Sequence, residues 1–169
     1  YLYPLAGRLV HLGLAGLLAW RASQQVPNTF SIAVNDYGLE LLSAKPVDWP
    51  ALLPHLIGEA THSAVGEGLE EGLEAEVLAS LNATELARRR FREIARIAGL
   101  IFQSHPGEQR SSRQLQASAS LYYDVFQKHD PGNRLLLQAE RELLQQELDI
   151  DRLAAALASM QGQRLALVA

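Results

Sequence analysis

The chain has no cysteine among its 169 residues, which excludes disulfides, thiolate zinc sites, iron–sulfur clusters and cysteine nucleophiles. Redox chemistry therefore does not set its compartment. Only two lysines occur, Lys45 and Lys128, and neither stands in a G-x-x-x-x-G-K-[ST] loop of the kind that cradles nucleotide phosphates. G-x-S-x-G and H-E-x-x-H strings are absent as well. His11, His55, His62, His105 and His129 show no metal-ligand spacing beside a carboxylate. The expectation is no catalytic residue, no metal and no cofactor in this chain. Long apolar runs are lacking too. Leu9 to Trp20, flanked by Arg8 and Arg21, falls well short of the roughly 20 residues of a membrane span and reads as a buried helix. No membrane partner is expected. Tyr1 opens the chain without a methionine and Leu165 to Val168 closes it on an apolar run, so the chain reads as a piece of a longer protein.

What is present suffices for one core: 48% of the residues are apolar, giving the expectation of a single (sub)domain over 1–169. Leu5, Leu9, Leu12, Ala15 (or Gly16) and Ala19 (or Trp20) behind Pro4 predict a helix from about Pro4 to Ser23. Alternation over Thr29 to Val34, turn residues Asn35-Asp36-Tyr37-Gly38 with Gly38 free to take positive φ, and a return over Leu39 to Ser43 predict a β-hairpin. Asp48 is a candidate cap for a helix over Trp49 to Ile57, whose continuity Pro54 threatens. Residues 58–76, rich in Glu and Gly, read as an acidic loop. Asn82 caps an amphipathic helix through Phe91, Ile94, Ala95, Ala98 and Ile101 that should end near Gln103. That use of Asn82 is preferred to the glycosylation acceptor it forms with Ala83 and Thr84. Ser111 or Ser112 caps the next helix, Asp130-Pro131-Gly132-Asn133 turns the chain, and two more helical faces follow, the last capped by Asp149 or Asp151. Arg164 to Ala169 reads as a strand. The expected fold is α+β and mainly helical, with about six helices, one hairpin and a C-terminal strand.

Charge is scarce, at 20% of residues, but it is segregated. Thr84 to Arg113 carries Arg88, Arg89, Arg90, Arg92, Arg96, Arg110 and Arg113 against Glu85, Glu93 and Glu108, a local +4. The rest, to reach the net −4, carries −8. Arginine suits bidentate phosphate contact, and Arg88, Arg92 and Arg96 recur every four residues on one helix face spanning about 12 Å of rise. A second reading stands beside this one. Glu85 with Arg89, Arg89 with Glu93, and Glu93 with Arg96 would make an ordinary salt-bridged surface. Tyr122 and Tyr123 offer either a stacking surface for bases or core packing.

Three strings carry a resemblance: Tyr1-Leu2-Tyr3-Pro4-Leu5-Ala6-Gly7-Arg8-Leu9-Val10-His11, Thr29 through Gly38, and Leu81-Asn82-Ala83-Thr84-Glu85 through Arg88 to Ala95. Arg113 to Ser118, Tyr123-Asp124-Val125-Phe126 and Asp130-Pro131 extend it. The chain resembles the C-terminal, non-motor region of Lhr-type (long helicase-related) superfamily 2 helicases, especially the ligase-associated DEXH-box branch. The resemblance implies a parent that uses ATP and Mg²⁺ to move 3′ to 5′ on single-stranded or 3′-tailed DNA in repair. It also implies motor, winged-helix and β-rich domains upstream, a DNA ligase or nuclease as a further partner, and a cytoplasmic, nucleoid-associated setting in a bacterium. Charge and helical phase, rather than any family motif, then make Arg88, Arg92 and Arg96, with Arg89, Arg110 and Arg113 behind them, the expected nucleic-acid contacts. The alternative is a structural, protein-interaction module that braces the neighbouring domains.

Overall fold

The computed structural model describes residues 1–58, 68–101, 104–105, 108–109 and 111–161. In chain order the elements are α1 Arg8–Gln25, β1 Phe30–Val34, β2 Leu39–Ser43, α2 Trp49–Gly58, α3 Gly68–Ala79, α4 Leu81–Ile97, β3 Ser104–His105, β4 Glu108–Gln109, α5 Ser112–His129, α6 Arg134–Glu142 and α7 Ile150–Gln161. A π-helical turn at Leu143–Glu147 precedes α7. The fold is mainly helical α+β, as the patterning predicts. It divides into two compact units, one from Tyr1–Ala83 and Gln145–Ala169, the other from Thr84–Leu144.

In the first unit α1 is apolar on most of its faces because neighbours cover most of them. Val10, Leu14, Leu17, Leu18 and Ala22 are buried, and α7, the hairpin, α2 and α3 all pack against it. At Gly13 a Cβ would collide with a Leu153 methyl of α7, so the glycine sets how closely the two helices approach. The helix starts at Arg8 rather than Pro4, since Leu5 (φ 54°) and Gly7 (φ 94°) turn the chain out of helical geometry. The freed segment pairs instead with β2, where Leu2 and Leu39 exchange two N–H···O bonds of 2.9 Å. His11, fully buried, ties this entry to the hairpin: one ring nitrogen accepts from the Ala6 amide at 3.1 Å, the other donates to the Asn35 carbonyl at 2.7 Å.

The hairpin has the predicted strands, in the register Phe30↔Ser43 to Val34↔Leu39. Its turn is made by Asn35, whose Oδ1 accepts from the amides of Tyr37 (2.8 Å) and Gly38 (2.9 Å). Gly38 does not take the positive φ expected of it; it is needed because the Leu2 carbonyl and the Tyr3 ring occupy the place of a Cβ. The helix after Asp48 forms despite Pro54, which forfeits a single internal amide; Asp48 accepts from Ala51 at 3.2 Å. The 58–76 stretch differs from the loop expected of it. It is helical from Gly68, because Leu73 and Val77, one turn apart, supply a buried face that the glutamates obscure in the sequence. This is the additional helix; residues 59–67 lie outside the described residues.

In the second unit α5 packs against α6 and, through aromatic rings, against α4, where Phe91 meets Tyr123 and Phe126 edge-on at 5.5 and 5.9 Å. The N-terminus of α5 carries a capping box: Ser111 Oγ accepts from the Gln114 amide (3.3 Å) and Gln114 Oε1 from the Ser111 amide (3.1 Å). Asn133 caps α6. At α4 the expected limits move: it begins at Leu81, ahead of Asn82, and ends at Ile97, six residues before Gln103. Gly99 (φ 73°) closes it in a Schellman turn, the Leu100 amide bonding Ala95 O (2.9 Å) and the Gly99 amide Arg96 O (3.2 Å). Beyond it, Ser104↔Gln109 and His105↔Glu108 form a short antiparallel pair that the sequence reading lacks. The strand expected over Arg164 to Ala169 lies outside the described residues.

Candidate nucleic-acid interface

The arginines of α4 divide by helical phase and by partner. At about 100° per residue, Arg88, Arg92, Arg96 and Arg89 fan across roughly a quarter of the helix circumference, while Arg90 points to another side. Phase alone does not make them equivalent. Arg88, nearest the core edge, sets Nη2 at 2.7 Å from Asp124 Oδ1 of α5 and its guanidinium 5.3 Å above the Tyr123 ring. Its Nε is buried with no hydrogen-bond partner. Arg90 meets Glu93 at 3.2 Å and Glu142 at 3.9 Å. The salt bridges expected of Glu85 and of Glu93 with Arg89 and Arg96 are not those formed.

Arg92 is half-buried, its Nε also without a hydrogen-bond partner. Arg89 and Arg96 are exposed and, among the described residues, make no ion pair. Arg113 on α5 is likewise exposed and lies within about 20° of the Asp124 face, three turns earlier. Arg110 lies outside the described residues. Of the predicted contacts, then, Arg89, Arg92 and Arg96 form one outward cationic stripe on α4 and Arg88 is drawn aside.

The ground beneath Arg88 is a half-aqueous cluster. Burial pushes the Tyr123 hydroxyl up from its ordinary value, the Glu140 charge adds to this, and Arg88 opposes it. Burial likewise raises the Glu140 carboxyl. Tyr123, 1% exposed and covered by Arg88, is unavailable to a base, so of the two tyrosines only Tyr122 keeps an accessible ring. Sequence reasoning missed Asp124 because its partner is 36 positions away, beyond any local spacing rule. It missed Arg21 for the same reason. That side chain, 2% exposed in the first unit, donates Nε to Glu76 Oε2 at 2.9 Å and Nη1 to the Leu56 carbonyl at 2.6 Å.

Elsewhere the described residues offer less chemistry. A groove of about 430 Å³ beside Trp20, Phe30 and Ile32 has no charged side chain in its wall. Among the described residues no group of three His, Asp or Glu side chains is placed to hold a metal ion, and no helix is long and apolar enough to cross a membrane.

The profile of the family described as DEAD/H associated matches residues 1–169. ATP-dependent helicase Lhr-Core protein 2 of Thermococcus barophilus (strain DSM 11836 / MP) is 26% identical over 151 residues, 89% of this chain and 16% of that protein. Among solved structures, Mycobacterium smegmatis helicase Lhr bound to ssDNA and AMP-PNP superposes with a TM-score of 0.64 at 24% identity, over 90% of this chain and 18% of that one. This likeness is one of fold. The chain thus spans about a sixth of the length of the relatives it matches.

Proposed function

The chain belongs to the DEAD/H associated family, and on that premise we propose that it is a non-catalytic accessory domain of an ATP-dependent 3′–5′ DNA helicase acting in DNA repair. The observation that carries the DNA-binding part is the stripe Arg89, Arg92 and Arg96: two exposed guanidinium groups that make no ion pair among the described residues, and a third, half-buried arginine between them in sequence. Unpaired arginines on an otherwise acidic chain are suited to a phosphate backbone. The relatives support the reading, since one is named an ATP-dependent helicase and the other holds ssDNA and AMP-PNP. ATP and Mg²⁺ belong to the remainder of the parent in this account, as do its motor, winged-helix and β-rich domains. A ligase or nuclease partner and a cytoplasmic, nucleoid-associated setting complete the proposal.

The test is a salt titration of the full-length protein on 3′-tailed DNA. Replacing Arg89, Arg92 and Arg96 together by Gln should lower the log–log salt slope by about 2, at roughly 0.7 per phosphate on single strands. An unchanged slope in a folded variant would remove these arginines from the DNA path. A second reading has its own observation, the pairing of Arg88 and Arg90 with Asp124, Glu93 and Glu142. Under it the region is a brace for neighbouring domains: replacing Arg88 and Arg90 by Gln would lower the melting temperature, and the triple substitution would leave the slope where it is.

A further inference from the structure

We propose that Asp124 is a tether that withholds Arg88 from the DNA, so that the α4 face offers three phosphate contacts although its fan holds four arginines. The inference rests on the DNA-binding reading above and goes beyond it by assigning Asp124, a residue outside the arginine cluster, control over how many phosphates the face can hold.

Three observations converge. Arg88 is the one member of the fan whose guanidinium is engaged on two sides, by the Asp124 carboxylate at 2.7 Å and by the Tyr123 ring at 5.3 Å. A phosphate could recruit it only by breaking a charge-assisted hydrogen bond and uncovering the ring. Among the described residues Arg89, Arg92 and Arg96 make neither an ion pair nor a ring contact of this kind. The Asp124 side chain is 52% exposed, so its carboxylate is well hydrated and its pair with Arg88 contributes little to folding. The rings of Phe91, Tyr123 and Phe126 hold the helices together without it. What the pair does change is the charge presented outward: the Asp124 carboxylate cancels one cation at the edge of the stripe.

The full-length protein, titrated with salt on a fluorescein-labelled oligodeoxythymidylate, separates the possibilities. Asp124→Asn keeps the side-chain shape and releases Arg88. The salt slope should rise by about 0.7 and affinity at 50 mM salt should increase close to tenfold, fading toward 1 M. Arg88→Gln alone should leave the slope unchanged. Arg88→Gln combined with Asp124→Asn should abolish the gain, because the gain is Arg88 reaching a phosphate. A gain that persists in the double variant would overturn the tether in favour of simple repulsion between Asp124 and DNA. So would a slope that falls with Arg88→Gln alone, a result readable even if Asp124→Asn fails to fold. If the Arg89, Arg92 and Arg96 triple lowers the slope while Asp124→Asn does nothing, the tether fails and the DNA-binding reading stands. If the triple does nothing, both fail.

Discussion

Arg21 is a buried charge that holds three helices of the first unit together. Buried to 2% exposure, it joins α1 to Glu76 of α3 and to the last turn of α2 through hydrogen bonds that no other residue duplicates. Arg21→Ala leaves a cavity, an unanswered carbonyl and a half-buried carboxylate, and should cost about 3 kcal/mol in urea unfolding. Arg21→Lys should recover only part, since an ammonium cannot serve both acceptors in the guanidinium geometry. Glu140 gives a pH-dependent prediction of opposite sign. Its carboxyl is held above the ordinary 4.5 by burial, so the stability it contributes is present below that value and lost as pH rises through the raised one. Glu140→Gln should therefore raise the melting temperature at pH 7, with the gain disappearing well below pH 4.5. The same change should bring Tyr123 ionisation, followed by ultraviolet absorbance, to lower pH, because the Glu140 charge is among its causes. At this scale the sequence was least legible. It gives no sign that the partners of His11 are Ala6 and Asn35, nor that Arg21 and Arg88 pair with acids far along the chain.

Elements were read well where pattern and punctuation agreed. The hairpin, the capping of α5 by Ser111 and the turn at Asp130 to Asn133 rest on residues whose short side chains act on their own neighbours, which is why a local reading finds them. The reading failed where apolar spacing ran on past a stop. Ile101 continues the helical period of α4 and is buried, yet Gly99 has already closed the helix. Gly99→Ala should cost about 1 kcal/mol for its φ of 73° alone, since a Cβ there meets nothing within 4 Å, and Gly99→Asn should cost less. Gly132 is the control: it is equally uncrowded and lacks a positive φ, so Gly132→Ala should be neutral or slightly stabilising in the same thermal melts. The acidic stretch failed for the opposite reason, its glycines and glutamates outweighing two apolar residues that decide the matter once α1 is there to cover them.

For the whole molecule, composition and the order of several short strings carried more than any single motif, and they led to the family that covers all 169 residues. Charge segregation was equally legible, because it is a sum over residues and needs no contact map. Which arginines face outward was not, since that depends on Asp124 and Glu142 arriving from other helices. A prediction belongs to this scale. Millimolar MgATP should leave the melting temperature of this chain unchanged, whereas a single-stranded oligonucleotide at low salt should raise it with the logarithm of its concentration above Kd. A rise with MgATP would reveal a nucleotide site that no loop of this sequence foretells.

The paired amides of Leu2 and Leu39 give the chain a mechanical property as well. Tension applied at Tyr1 is borne by two hydrogen bonds to the hairpin before it reaches α1, so the hairpin and its buried imidazole peg act as a strain relief for the first helix. Gly38→Ala would wedge those strands apart, and an optical-trap extension trace should then lose its earliest, low-force rupture while the later unfolding of the helical unit keeps its force.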